Sequence, residues 1–268
     1  MDSTGTVCGT VCERDMTERI PRELRPEQIR RMVDPRGTVI NGVDDVFHAM
    51  LCYSGNIREW FGVPMLKNDF DCRRYLEILD AFRPEIIVET GVARGGSALF
   101  FMYAIQLMEF SCLYLGVELD HRVMSPKVIE IADSNSWHYA FIYRDCLAAE
   151  TLETVAAHVK GKRQLIILDS VHTEEHVTEE LRLYAPLVTD GSYLVIEDTD
   201  HSGHPLFPNY GPSAWEAVAK FIAPGGLGAK LGFVRDLALE GMFKITNSPG
   251  GWLKRLHAAA DGVVPNAD

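Results

Sequence analysis

The sequence has no apolar run approaching the ~20 residues needed to cross a bilayer, which excludes a helical membrane span. It is also short of positive charge: 26 Lys+Arg stand against 38 Asp+Glu, a net charge of -12. That balance repels phosphate backbones and anionic lipid surfaces. Arg25, Arg30 and Arg31 lie among Glu23, Glu27 and Asp34 and build no basic patch, so neither nucleic acid nor membrane is expected as a partner. Cysteine is sparse. Six in 268 residues fit a reduced compartment better than a disulfide framework. Cys8 and Cys12 have the spacing of half a zinc site, but no second Cys/His pair follows nearby. Asp2, Glu13, Asp15 and Glu18 stand where a signal peptide would carry its apolar stretch, so a cytoplasmic protein is expected. What is present, 47% hydrophobic residues with 22 Gly and 13 Pro, describes a globular chain.

Residues 1–20 are polar and without period, and are expected to form a flexible arm. A helical segment is expected over 21–83, with apolar residues at three- and four-residue intervals from Val43 to Phe61 and from Asp71 to Phe82. The main domain is expected over 84–250. There, short apolar runs (Ile86 to Val88, Leu113 to Val117, Ala140 to Tyr143, Leu165 to Leu168, Tyr193 to Ile196) alternate with helical stretches. That alternation predicts an α/β fold with a parallel sheet buried on both faces. Leu231 to Val234 and Gly241 to Ile245, after a helix at Ala214 to Ile222, are expected to close the sheet as an antiparallel hairpin, leaving 251–268 as a tail.

The first βα turn reads Glu89-Thr90-Gly91-Val92-Ala93-Arg94-Gly95-Gly96-Ser97. Glycine lets a ligand approach the backbone and the following helix N-terminus. Ala93 stands where a dinucleotide turn has its second Gly, and no Lys-Ser/Thr pair follows as in a P-loop. A nucleoside without a pyrophosphate fits better, with Glu89 suiting an ammonium or sulfonium group. The second strand ends Glu118-Leu119-Asp120, where an acid can accept both ribose hydroxyls. Asp145, after the third, is placed to reach an adenine amino group or to cap the next helix. Strand four ends at Asp169 and strand five at Glu197-Asp198; if these strands are neighbours, three carboxylates crowd one edge. Oxygen ligands without Cys point to Mg²⁺, Mn²⁺ or Ca²⁺. His172 lies three residues after Asp169, and a neutral imidazole there can deprotonate a hydroxyl whose pKa a cation has lowered. His176 lacks the H-E-x-x-H context of a zincin. His201 and His204 follow strand five as loop candidates.

The stretch Ile87-Val88-Glu89-Thr90-Gly91 with Gly95-Gly96-Ser97, then Gly116-Val117-Glu118-Leu119-Asp120, Leu168-Asp169-Ser170-Val171-His172-Thr173 and Val195-Ile196-Glu197-Asp198 resemble the cephalosporin hydroxylase/rhamnosyl O-methyltransferase family. The likeness runs from about Trp60 to Phe243, and the D-x-x-H motif followed by the Glu-Asp pair is its most specific part. It implies a Rossmann-like class I methyltransferase with a seven-stranded, mostly parallel sheet and an antiparallel C-terminal hairpin. It implies S-adenosylmethionine as methyl donor, contacted by Glu89, Thr90, Gly91, Arg94, Gly95, Ser97, Glu118, Asp120, Asp145 and Asp169. It further implies Mg²⁺ (or Mn²⁺) on Asp169, Glu197 and Asp198, His172 as general base, a homo-oligomer, and a small glycosylated acceptor from a bacterial antibiotic or glycolipid. Catechol-type relatives place Lys at the base position; His172 moves the acceptor toward a sugar hydroxyl. The alternatives are a cephem hydroxylation/methoxylation component and a catalytically silent nucleoside-binding partner.

Overall fold

The computed structural model describes residues 58–207 and 209–256. The arm at 1–20 and most of the helix expected from Val43 lie outside them. The end of that stretch is not helical: β1 (Arg58–Trp60) and β2 (Val63–Met65) pair as an antiparallel hairpin around Phe61 and Gly62, both at positive φ. A turn, not a helical period, sets the local path there. α1 (Asp69–Phe82) follows, its N-cap Asn68 accepting a hydrogen bond from the Asp71 N–H at 2.8 Å.

The predicted alternation then appears as β3 (Ile86–Thr90), α2 (Gly96–Leu107), β4 (Leu113–Glu118), α3 (Lys127–Ser134), β5 (Tyr139–Tyr143), α4 (Ala149–Val159), β6 (Gln164–Leu168), α5 (Glu174–Tyr184), β7 (Tyr193–Ile196) and α6 (Ala214–Ile222). Two short helices, α7 (Leu227–Lys230) and α8 (Leu237–Glu240), flank β8 (Phe233–Arg235), and β9 is Trp252–Arg255. The seven-stranded sheet has the order β5-β4-β3-β6-β7-β9-β8, parallel through β7 and antiparallel at β9 and β8.

The C-terminal pair differs from expectation. Gly241 to Ile245 is not a strand; Trp252–Arg255 is, inserted between β7 and β8, so the sheet runs through residue 255 and not to 250. The reason is tertiary. Arg74 on α1 donates to the carbonyl oxygens of Leu239, Glu240, Phe243 and Ile245, so this segment's acceptors are spent on a side chain, not on a ladder.

The period of two along each strand divides the core. Ile87, Leu165, Ile167 and Val195 pack on one face against Tyr75, Phe101 and Trp252; Ile86, Val88, Ile166, Leu168 and Ile196 pack on the other against Val177, Leu181 and Val218. At the carboxyl end of β3 the same alternation sends Glu89 and Thr90 to opposite faces. Among the described residues, no helix is long and apolar enough to cross a membrane.

Candidate active site

The reversal of strand order between β3 and β6 leaves a crevice at the carboxyl ends of these strands, the place where ligands bind open α/β sheets. It is a cleft of about 190 Å³, lined by the hairpin exit Pro64–Lys67, the turn Gly91–Arg94, and the loops carrying Asp169, His172 and Asp198. Gly91 has φ +77°, and a Cβ there would stand 2.0 Å from the Asp169 carbonyl oxygen. Only glycine lets the two turns lie this close. Gly95, at φ +90°, is the N-cap of α2.

His172 Nε2 is 3.1 Å from Asp198 Oδ2 and 3.9 Å from Asp169 Oδ1. Its backbone is fixed from α6, since the Ala214 N–H donates to the His172 carbonyl. Asp198 takes a left-handed backbone, φ +53°, unusual for a residue with a Cβ. One oxygen each of Asp169 and Asp198 and one nitrogen of His172 lie within 4.8 Å of one another. The two carboxylate oxygens suit a hard divalent cation, with the imidazole beside it.

The site also holds a residue absent from the sequence-based set. Lys67 is buried, and its ammonium lies 2.8 Å from Asp169 Oδ2, 2.9 Å from Glu197 Oε1 and 3.1 Å from Glu89 Oε1. Burial alone would lower its pKa, but Asp169, Glu197 and Glu89 together raise it well above the usual lysine value, so it is a fixed cation. Tyr75 donates to Glu197 Oε1, and burial followed by Glu197 holds that phenol in its protonated form. The Glu197 expectation is therefore corrected in part: one of its oxygens serves Lys67 and Tyr75 before any metal. Nothing in the sequence marks Lys67 except its place just before the Asn68 cap.

Of the expected donor contacts, Gly91, Arg94, Ser97 and Asp169 line the cleft, beside His172, Glu197 and Asp198. Glu89 does not. Fully buried, it accepts from Ser97 Oγ at 3.0 Å and from the Tyr114 hydroxyl and pairs with Lys67. Thr90 turns to the other face and donates to Glu180 at 2.8 Å. Glu118 accepts the Ala93 N–H at 2.8 Å, which ties the turn to β4. Asp120 is committed to Arg122, whose hydrogen bonds hold its carboxyl at about 2. Asp145 accepts the Leu147 N–H at 2.9 Å, a local turn before α4. The two loop histidines part. His201 lies against His172 with ring centroids 5.7 Å apart, whereas His204 stacks on Trp215 and pairs with Glu216.

The profile of the family "Rhamnosyl O-methyltransferase/CmcI" matches residues 52–256. A rhamnosyl O-methyltransferase of Mycobacterium leprae (strain TN) is 31% identical over 211 residues, covering 75% of this chain and 84% of that protein. Its counterpart in Mycobacterium tuberculosis (strain ATCC 25618 / H37Rv) is 30% identical over 212 residues, 76% of this chain and 82% of that protein. Among solved structures, an apo form of CmcI superposes with TM-score 0.55 at 21% identity, covering 89% of this chain and 87% of that one. A CmcI structure with Mg and SAM gives 0.54 at 21%, covering 88% and 87%. At that identity the two structures speak for the fold alone.

Proposed function

The chain belongs to the rhamnosyl O-methyltransferase/CmcI family and is an S-adenosylmethionine-dependent O-methyltransferase; from that premise we propose that it methylates a sugar hydroxyl of a small glycosylated acceptor, with Mg²⁺ bound. The observation that carries the reading is His172, held between Asp169 and Asp198 on the wall of the cleft that begins at Gly91. The donor would lie over the Gly91 turn, where Arg94, Ser97 and Asp169 line the cleft and Glu118 braces the turn from β4. Glu89 contributes from below, through Lys67, by setting the charge of the site. Asp169 and Asp198 would hold the Mg²⁺, with the Glu197 oxygen not bound by Lys67 as a third donor. A bound Mg²⁺ supplies Lewis-acid stabilisation of the acceptor oxygen. His172 Nε2 takes the hydroxyl proton. The oxygen forms its bond to the methyl carbon as the carbon–sulfur bond breaks, and that electron pair stays on sulfur. Holding the two reactants in line supplies much of the rate.

His172→Ala tests this. With a rhamnosylated acceptor, turnover is expected to fall by ~10²–10⁴-fold, the range for a general base. Donor affinity measured by calorimetry stays at the wild-type value. Undiminished turnover in this variant removes His172 from the reaction.

A further inference from the structure

We propose that Cys146, His176 and Glu180 form a second cation site, for a soft divalent metal of the Zn²⁺ class, on the opposite side of the β3 and β6 termini from Lys67. The three residues come from two pieces of chain: Cys146 from the loop after β5, His176 and Glu180 from one face of α5 at i, i+4. One ligand atom from each lies within 4.8 Å of the other two. Cys146 Sγ is 3.5 Å from His176 Nε2, and His176 Nε2 is 3.8 Å from Glu180 Oε2. In a tetrahedral zinc site with Zn–S of about 2.3 Å and Zn–N and Zn–O of about 2.0–2.1 Å, the corresponding edges are about 3.6 Å and about 3.4 Å. On these two edges the match is within a few tenths of an ångström, and the Cys146 and Glu180 ligand atoms lie within 4.8 Å of each other.

A second observation points at a ligand. Glu180 is fully buried, and its Oε2 makes no hydrogen bond of ordinary length, facing His176 at 3.8 Å beside the Cys146 thiol. A buried carboxylate oxygen left this way is costly unless something occupies it. The other oxygen is already fixed: Oε1 accepts from Thr90 Oγ1 at 2.8 Å and from Ser170 Oγ at 2.9 Å, the kind of outer contact that orients a metal ligand. Ser170 Oγ, 2.9 Å from His176 Nε2 and 3.7 Å from Cys146 Sγ, stands at the fourth corner. Without metal, Nε2 donates to Ser170 Oγ. On binding, the ring proton moves to Nδ1, the thiol loses its proton to solvent, and the sulfur and nitrogen lone pairs go to the metal, so affinity rises with pH. Thiolate and imidazole select a softer ion than the carboxylates around Asp169 do.

The test uses the full chain carrying Cys8→Ser and Cys12→Ser, stripped of metal and titrated with Co²⁺. One equivalent is expected to produce the absorption of thiolate-to-cobalt charge transfer, displaced by Zn²⁺ and untouched by excess Mg²⁺. Cys146→Ser is expected to abolish that absorption. His176→Gln and Glu180→Gln, read separately, are expected to weaken the Co²⁺ binding that this band reports at least tenfold, and Asp198→Asn to leave the band unchanged. Absence of the charge-transfer band in the folded parent, its survival in Cys146→Ser, or its loss in Asp198→Asn would each overturn the proposal.

Discussion

Lys67 gives the acidic edge its balance: one buried ammonium is set against the three carboxylates of Glu89, Asp169 and Glu197. Removing one partner of a buried ion pair leaves charge uncompensated, at a cost of about 3–5 kcal/mol. Lys67→Met is therefore expected to lower the melting temperature steeply, and added Mg²⁺, binding the freed carboxylates, to restore part of the loss. Thermal melts with and without Mg²⁺ check it; a variant that melts like the wild type in both buffers removes Lys67 as the counterion. The buried thiols make a second residue-scale case. Burial pushes Cys72, Cys112 and Cys146 each up to about 12. In the unfolded chain they ionise near their ordinary value, so the unfolded state loses protons first and stability falls as pH rises above about 9. Alkylation by iodoacetamide near neutral pH, followed by mass spectrometry, is expected to spare these three until denaturant is added.

At the scale of elements, close approach outweighs intrinsic preference. Gly96 opens α2, where alanine is the better helix former by about 1 kcal/mol. A Cβ at Gly96 would stand 2.3 Å from the Pro64 carbonyl oxygen and 2.7 Å from Met65 Cα, so the hairpin that delivers Lys67 packs on this glycine. Gly96→Ala is expected to destabilise by about 1–3 kcal/mol, the cost of overpacking, with the sign opposite to propensity. Chemical denaturation reads the change, and turnover falls with it because Lys67 is displaced. The strands were legible from their apolar runs. The β1–β2 hairpin was not, because three-residue strands carry too little alternation to distinguish them from a helical stretch.

Across the whole molecule, Arg74 joins α1 to the segment before β9. It is fully buried, pairs with Asp71 at 2.8 Å, and donates to four backbone carbonyls between Leu239 and Ile245. Arg74→Met leaves those carbonyl acceptors unsatisfied and removes the cation paired with Asp71. The expected result is a loss of about 3–5 kcal/mol and rapid proteolytic cleavage between residues 237 and 247. Arg74→Lys recovers little, since an ammonium cannot reproduce the planar fork of donors. Equal protease resistance in all three proteins would show that this segment is held by other contacts.

The sequence by itself determined the parallel sheet, the glycine turn and the placing of Asp169, His172, Glu197 and Asp198 at strand ends, because period-two burial and turn chemistry are local properties. It could not determine which oxygens remain available. Lys67 and Tyr75 reach Glu197 across separations of 130 and 122 residues, and Thr90 reaches Glu180 across 90. Partners so distant along the chain leave no spacing to read. Only the packing of the hairpin and α1 on one face of the sheet, and of α5 on the other, decided how each buried carboxylate is used.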